Sequence, residues 1–332
     1  MLVGSRALRT SNPRLCLAHC QLRMLSFAKP LSPMPWYFCS DRNHRILGKR
    51  LSVALAVADS PFEPRHIMVD DMRAVPARAA GGVPVMDFKL HCLLHTCLQT
   101  PQKDQQQNAP QTTGGSFASN SLSEGGHFIW SDVDVQPTAP LRHLHAVLMN
   151  LVPEGNNDPR VDIWTQREFE DAGTNVGFMM LRESAATRRL LLAVRAEMAR
   201  SRGLDQNVLN KMLLAGDTHG AVVRRLPATV WASSNAENAP PLDKLLLHHA
   251  NFIVRPPGWN LCASTDPQPK LEQLERVSDL LGRQDSAGWH RMIAEITEDR
   301  GLASYKARHF NAETLTAWRR IANCAGEGSN ET

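Results

Sequence analysis

With 332 residues and a hydrophobic fraction of 42%, the chain can hold one large domain or two ordinary ones and bury a sizeable core, which excludes wholesale disorder. Lys and Arg number 37 against 33 Asp and Glu; a net charge of +4 lacks the concentrated basicity of a general nucleic-acid binder, so no nucleic-acid partner is expected. Seven scattered cysteines (Cys16, Cys20, Cys39, Cys92, Cys97, Cys262 and Cys324) exclude the dense disulfide framework of a small secreted module.

The first forty residues carry Arg6, Arg9, Arg14, Arg23 and Lys29 and no acidic residue. Residues 1–45 are read as a basic segment, either poorly ordered or an organelle-type targeting leader, without the continuous apolar core of a secretory signal. The longest clear apolar run, Leu51 to Ala58, is far too short to cross a bilayer, so no membrane span or anchor is expected. That run and His66 to Val69 are candidates for the opening strands. From Gln99 to Gly126 the chain is rich in Gln, Asn, Ser, Thr and Gly, which predicts a disordered surface insertion.

His127 to Trp130 reads as a short buried strand leading into Ser131-Asp132-Val133-Asp134-Val135. Thr174 to Leu181 reads as another strand, with Gly177 where a backbone passes closely. Ser184 caps a helix reaching about Arg202, and a further helix runs from Asp205, a good N-cap, to Gly216. Val222 to Leu226 and Leu245 to Leu247 are strand candidates. From Lys270 the chain is helical, with Leu271, Leu274, Val277 and Leu281 on one face. Strands alternating with helices predict an α/β sandwich with a mainly parallel, Rossmann-like central sheet flanked by helices. The domain reading is the basic segment over 1–45, a main domain over 46–265 interrupted at 99–126, and a C-terminal helical region over 266–332.

Asp132 and Asp134 are the sharpest chemical signal. Two carboxylates one residue apart repel unless a cation lies between them, and hard oxygen ligands suit Mn²⁺ or Mg²⁺ completed by substrate phosphates and water. A strand ending in D-x-D also suits a haloacid-dehalogenase-like phosphatase, but Gln136-Pro137 follows where a small hydroxyl residue is wanted. The downstream order separates the two: Asp162-Ile163-Trp164, Thr174-Asn175-Val176-Gly177-Phe178, Asp205-Gln206-Asn207-Val208-Leu209-Asn210, Arg225-Leu226-Pro227, and Leu247-His248-His249-Ala250-Asn251.

Over roughly Lys89 to Val254 this succession resembles the nucleotide-diphospho-sugar transferase family of GT-A-type glycosyltransferases. The resemblance implies a GT-A-like fold and a metal-dependent transferase, which moves a sugar from a nucleotide diphosphate donor, UDP-linked, to a glycan or protein acceptor with retention. It implies metal ligation by Asp132, Asp134 and His249, with Asp132 also on the nucleotide ribose. Asn175, Asp205 and Gln206 match positions at the donor sugar, with Asp205 and Gln206 in the catalytic role, and Lys89 matches a lysine near the nucleotide. His248 is the alternative to His249. The resemblance further implies a Golgi or secretory-pathway location. The pattern breaks after Asn251: a glycine and then a diphosphate-binding lysine are expected, and Phe252 to Pro257 offers only Arg255. The altered N-terminal third favours the rival reading, a non-catalytic carbohydrate- or nucleotide-binding relative, whereas the intact set of Asp132, Asp134, Asp205, Gln206 and His249 favours the enzyme, which is the leading expectation.

Overall fold

The computed structural model describes residues 33–68, 89–90, 92–94, 126–152, 161–169, 173–253, 266–299, 303–304, 306–307 and 316–318. The expected insertion at 99–125 and Arg255 lie outside the described residues. The described elements belong to one compact unit, Met34–Thr332.

The chain opens with β1 (Met34–Ser40), α1 (Arg45–Leu55) and β2 (Phe62–Met68). This opening corrects the sequence reading twice. β1 lies inside the stretch read as a basic leader, and Leu51 belongs to a helix. The reason is periodic: Leu47, Leu51 and Leu55 recur at the four-residue spacing of one helical face, and all three are buried. Only the second strand candidate, around His66, falls in a strand.

Next come β3 (His127–Ser131), β4 (Val135–Pro137), α2 (Leu141–Asn150), β5 (Ile163–Glu168), β6 (Gly173–Arg182) and α3 (Ala185–Ser201). As expected, Ser184 caps α3, its side chain accepting the Thr187 N–H. After it follow α4 (Asp205–Leu214), β7 (Val223–Arg225), β8 (Val230–Ala232), a 3₁₀ segment (Ser233–Asn238), β9 (Leu247–His249), α5 (Gln268–Arg283) and α6 (Ser286–Thr297).

Six strands form the main sheet in the order β2-β1-β3-β6-β5-β7, and a small sheet has the order β4-β9-β8. The main sheet is mixed. β1 pairs in parallel with β2 and β3, and β5 with β7, whereas β6 runs antiparallel to both of its neighbours. Alternation along the strands sends successive side chains to opposite faces. Trp36, Phe38, Ile129, Phe178 and Met180 pack on one side against Leu47, Leu51 and Leu55. Tyr37, Phe128, Trp130, Met179 and Leu181 pack on the other against Leu190, Leu191 and Val194 of α3. α5 contributes to both cores, through Leu274 on the first side and Val277 and Leu280 on the second. A mixed α/β sandwich of GT-A-like, Rossmannoid form results.

β1 leads to β2 on one side while β3 lies on the other, so the chain order reverses between β1 and β3. In open α/β sheets ligands gather in the crevice outside the carboxyl ends of the strands at such a point. Ser40-Asp41 and Ser131-Asp132 lie at those two ends, and the Trp36 indole N–H, from within β1, donates to Ser131 Oγ at 2.8 Å.

Candidate metal centre and donor site

Leaving β3, the chain makes one more sheet-like bond, from the Asp132 N–H to the Gly177 carbonyl at 2.7 Å, and then turns into β4. The turn directs both carboxylates toward β9. Ligand atoms of Asp132, Asp134 and His249 lie within 4.8 Å of one another. His249 Nε2 stands 3.4 Å from Asp134 Oδ1 and 3.9 Å from Asp132 Oδ2. Asp134 and His249 are buried, while the Asp132 side chain is 36% exposed, so the group opens on one side.

The ring orientation of His249 is set by Gln166, on β5. The Gln166 amide donates to the Val230 carbonyl, so its Oε1 faces His249 Nδ1 at 2.9 Å and accepts that N–H. The lone pair is then on Nε2, which is buried and has no hydrogen-bond partner. An imidazole tautomer fixed from behind, with an orphaned lone pair aimed at two carboxylates, fits a divalent ion. Strand alternation turns His248 the other way: it stacks on Trp231 with centroids 5.1 Å apart and lies 3.2 Å from the Gln273 amide nitrogen. Burial holds the His248 pKa down at about 3, with the neighbouring His249 adding to the effect. His249 is the inward histidine of the pair.

Gly177 makes room for it. A Cβ built there would stand 1.9 Å from His249 Cε1. The β5–β6 register shifts between Thr165 and Gln166, which leaves Val176 and Gly177 without a β5 partner at this point. The freed backbone serves the site instead: the Val176 N–H donates to Gln206 Oε1 at 3.3 Å, and Lys89 donates to the Val176 carbonyl at 3.3 Å.

Two lysines neutralise the carboxylates. Lys89 Nζ is 2.7 Å from Asp132 Oδ1 and 3.6 Å from Asp205 Oδ2. Burial works against its ammonium, but Asp132 and Asp205 outweigh it and hold the pKa above the ordinary lysine value. Lys270, in the first turn of α5, is bonded to Asp134 Oδ2. Burial alone would raise the Asp134 pKa; the Lys270 ammonium instead holds it well below the usual carboxylate range. Sequence reasoning missed Lys270, because it lies outside the motifs and reaches Asp134 only through the entry of α5.

The remaining candidates lie beside this centre. Asp205 is the first helical residue of α4, and the N-cap is Leu204. Its expected capping role therefore does not hold; its carboxylate accepts the next N–H, from Gln206, at 2.8 Å and faces Lys89. Asn175 is buried, its Oδ1 taking the Gly177 N–H at 2.8 Å and its Nδ2 donating to Glu168 at 2.6 Å. Asn210 anchors α4 to the start of β6 through three bonds with Thr174: its Oδ1 takes the backbone N–H at 2.9 Å and the hydroxyl at 2.8 Å, and its Nδ2 donates to the carbonyl at 3.0 Å. Asp162 has a structural task, accepting from Arg182, Ser184 Oγ and the Val222 N–H.

The family described as nucleotide-diphospho-sugar transferase matches residues 116–255, a stretch that includes all three candidate ligands together with Asn175, Asp205 and Gln206. The chain carries a GT-A-like nucleotide-diphospho-sugar transferase fold. Among solved structures, the galactosyltransferase LgtC in complex with donor and acceptor sugar analogues is 14% identical over 75% of this chain and 96% of its own, at a TM-score of 0.39. Mouse xyloside xylosyltransferase 1, in its apo form, is 13% identical over 68% of this chain and 86% of its own, at a TM-score of 0.34. No curated protein sequence matches the chain. Lys89 and Lys270, which complete the charge balance of the GT-A-like site, both lie outside the matched stretch.

Proposed function

We propose that this chain is a metal-dependent glycosyltransferase that moves a sugar from a UDP-linked donor to a glycan or protein acceptor. The single observation that carries the reading is the convergence of Asp132, Asp134 and the orphaned Nε2 of His249 at the mouth of a sheet switch point. Mn²⁺ is the proposed metal, with Mg²⁺ the alternative, since both take hard oxygen ligands and one imidazole. Bound there, the ion would neutralise the charge that develops on the leaving diphosphate.

The protein's own residues supply the rest. Asp132, the exposed member, is placed to share the ion with the nucleotide. Lys89 holds Asp132 and Asp205 together, so the nucleotide side and the sugar side of the site move as one. Lys270 balances Asp134, and with an ion held by Asp134 its ammonium would be available to the diphosphate. This assigns to Lys270 the task for which the sequence offered only Arg255. Gln206 and Asn175 face the donor sugar, and Gln206 acts mainly in the transition state. Retention of configuration and a secretory-pathway setting are proposed with this reading, on the family resemblance.

The test is hydrolysis of UDP-glucose, UDP-galactose and UDP-xylose with and without MnCl₂, alongside calorimetry of UDP. Manganese-dependent hydrolysis and manganese-dependent UDP affinity are expected, both lost in Asp134→Asn. The anomeric form of the first released sugar, read by NMR, decides retention. UDP affinity that ignores both manganese and Asp134→Asn would support the rival binding-module reading.

A further inference from the structure

Glu168 closes β5 at 1% exposure, and the proposed chemistry does not use it. Its carboxylate accepts from three neutral side chains on three different elements. Asn175 Nδ2 of β6 donates at 2.6 Å, and the side chains of Gln206 on α4 and Ser234 on the 3₁₀ segment also hydrogen-bond it. A terminal carboxamide can turn over and exchange its donor and acceptor ends, so its orientation is decided by its partners. Here both carboxamides have the same partners at the same ends. The oxygen of Asn175 takes the Gly177 N–H, the oxygen of Gln206 takes the Val176 N–H, and the amino end of each is left to Glu168. Ser234 Oγ accepts from Asn251 Nδ2 at 2.8 Å, which directs the Ser234 hydroxyl proton to Glu168 and ties the cluster to the segment following β9.

We infer that Glu168 is a positioning residue of the donor-sugar subsite, whose carboxylate locks the Asn175 and Gln206 carboxamides so that each presents its remaining N–H, and not its oxygen, to oxygen atoms of the sugar. The inference rests on the reading that these carboxamides face the sugar. A carboxylate is the one side-chain group that can take all three donors, since it has no hydrogen of its own. Protonation puts a hydrogen where only donors point, so at least one of the three bonds breaks. Burial pushes the Glu168 pKa up to about 7, against the pull of the Asn175, Ser234 and Gln206 bonds. The charged or titratable groups of the adjoining elements are engaged elsewhere: Asp205 with Lys89, His249 with Gln166 and the two aspartates, and Glu237 with Lys306. The ionised form being the competent one, turnover falls as pH drops through about 7.

The experiment uses the full chain with MnCl₂ and the UDP-sugar that it hydrolyses best. In Glu168→Gln, kcat should fall at least about tenfold with the manganese-dependent UDP affinity unchanged, and the acid limb near pH 7 should vanish. Glu168→Asp, which keeps the charge, should recover part of kcat and retain an acid limb. Selective ¹⁵N labelling of asparagine and glutamine gives a readout independent of turnover: the Asn175 and Gln206 NH₂ signals should titrate near pH 7 in the wild type and stay fixed in Glu168→Gln. Melting curves of both variants check the fold. Full kcat with the acid limb intact in Glu168→Gln, or NH₂ signals that do not titrate in the wild type, would overturn the inference. NH₂ titration in a protein that hydrolyses none of the UDP-sugars would leave the lock standing and overturn the proposed function instead.

Discussion

Gly177 shows how little space the centre has to spare. Its missing side chain is the space that the His249 ring fills, and its carbonyl holds the Asp132 N–H. Gly177→Ala would place a methyl group inside that ring, so the imidazole must leave its position between Gln166 and the carboxylates. Overpacking of this kind costs about 1–3 kcal/mol, which a domain of this size survives. The expected outcome is a folded protein with a lowered melting temperature that no longer binds Mn²⁺. Electron paramagnetic resonance of free Mn²⁺ checks it, and unchanged Mn²⁺ affinity would mean that His249 is no ligand. At this scale, the candidate ligands were legible in the sequence because D-x-D and the late histidine are local patterns. The choice between His248 and His249 was not, since it depends on the face that β9 buries. Glu168, Gln166 and Lys270 left no local signal at all. Each acts on a residue outside its own motif, and only the bulge in β6, the pairing of β9 and the entry of α5 bring them in.

The elements around the sugar side are joined by few side chains, each with a distinct duty. α4 is fixed to the start of β6 by Asn210, and one turn earlier it presents Gln206 to Val176 and Glu168. Anchoring and chemistry are therefore separable on one helix. On the proposed reading that the group acts mainly in the transition state, Gln206→Ala should leave UDP affinity in manganese nearly unchanged and lower kcat by about tenfold or more. Asn210→Ala should act through stability, because it leaves a buried Thr174 N–H and hydroxyl without their acceptor, at about 1–3 kcal/mol. Turnover per folded molecule, with melting temperature measured alongside, distinguishes the two. An equal loss of stability in both variants would remove Gln206 from the sugar site. The same helix was legible in outline, as were α3 and α5, because apolar stripes and caps are local. β1 was hidden because Met34–Ser40 follows a long basic stretch that reads as a leader, and because the more apolar run after it, Leu51 onward, is helical. The antiparallel course of β6 within an otherwise parallel arrangement is a property of chain crossings, on which composition is silent.

On the scale of the whole molecule, the candidate centre is assembled from segments distant in sequence, and its charges balance only when all of them are in place. Asp132 and Asp134 follow β3, His249 ends β9, and the two neutralising lysines come from the helical turn at Lys89 and from α5. Ligands that bind only this assembled form stabilise it by mass action. With manganese present and UDP at one hundred times its dissociation constant, the gain is about 2.7 kcal/mol, a rise in melting temperature of roughly 4 °C. UDP without manganese should give much less.

On the proposed reading, Lys270 decides how the ion enters. Its ammonium occupies Asp134, the buried carboxylate, and about a third of its side chain remains exposed, so it can withdraw without unfolding α5. An ion approaching Asp134 has to displace a bonded cation, and that competition weakens metal binding in the absence of nucleotide. Lys270→Met keeps the aliphatic stem and removes the charge, leaving Asp134 uncompensated beside Asp132. Affinity for Mn²⁺ alone should rise about tenfold, equivalent to about 1.4 kcal/mol, while affinity for UDP in saturating manganese should fall, because the released ammonium is no longer there to meet the diphosphate. The two changes have opposite signs, and a general loosening of the site would weaken both. Paramagnetic titration of Mn²⁺ and calorimetry of UDP on the same preparation measure them separately. Mn²⁺ affinity unchanged by Lys270→Met would mean that the lysine does not stand in the ion's place.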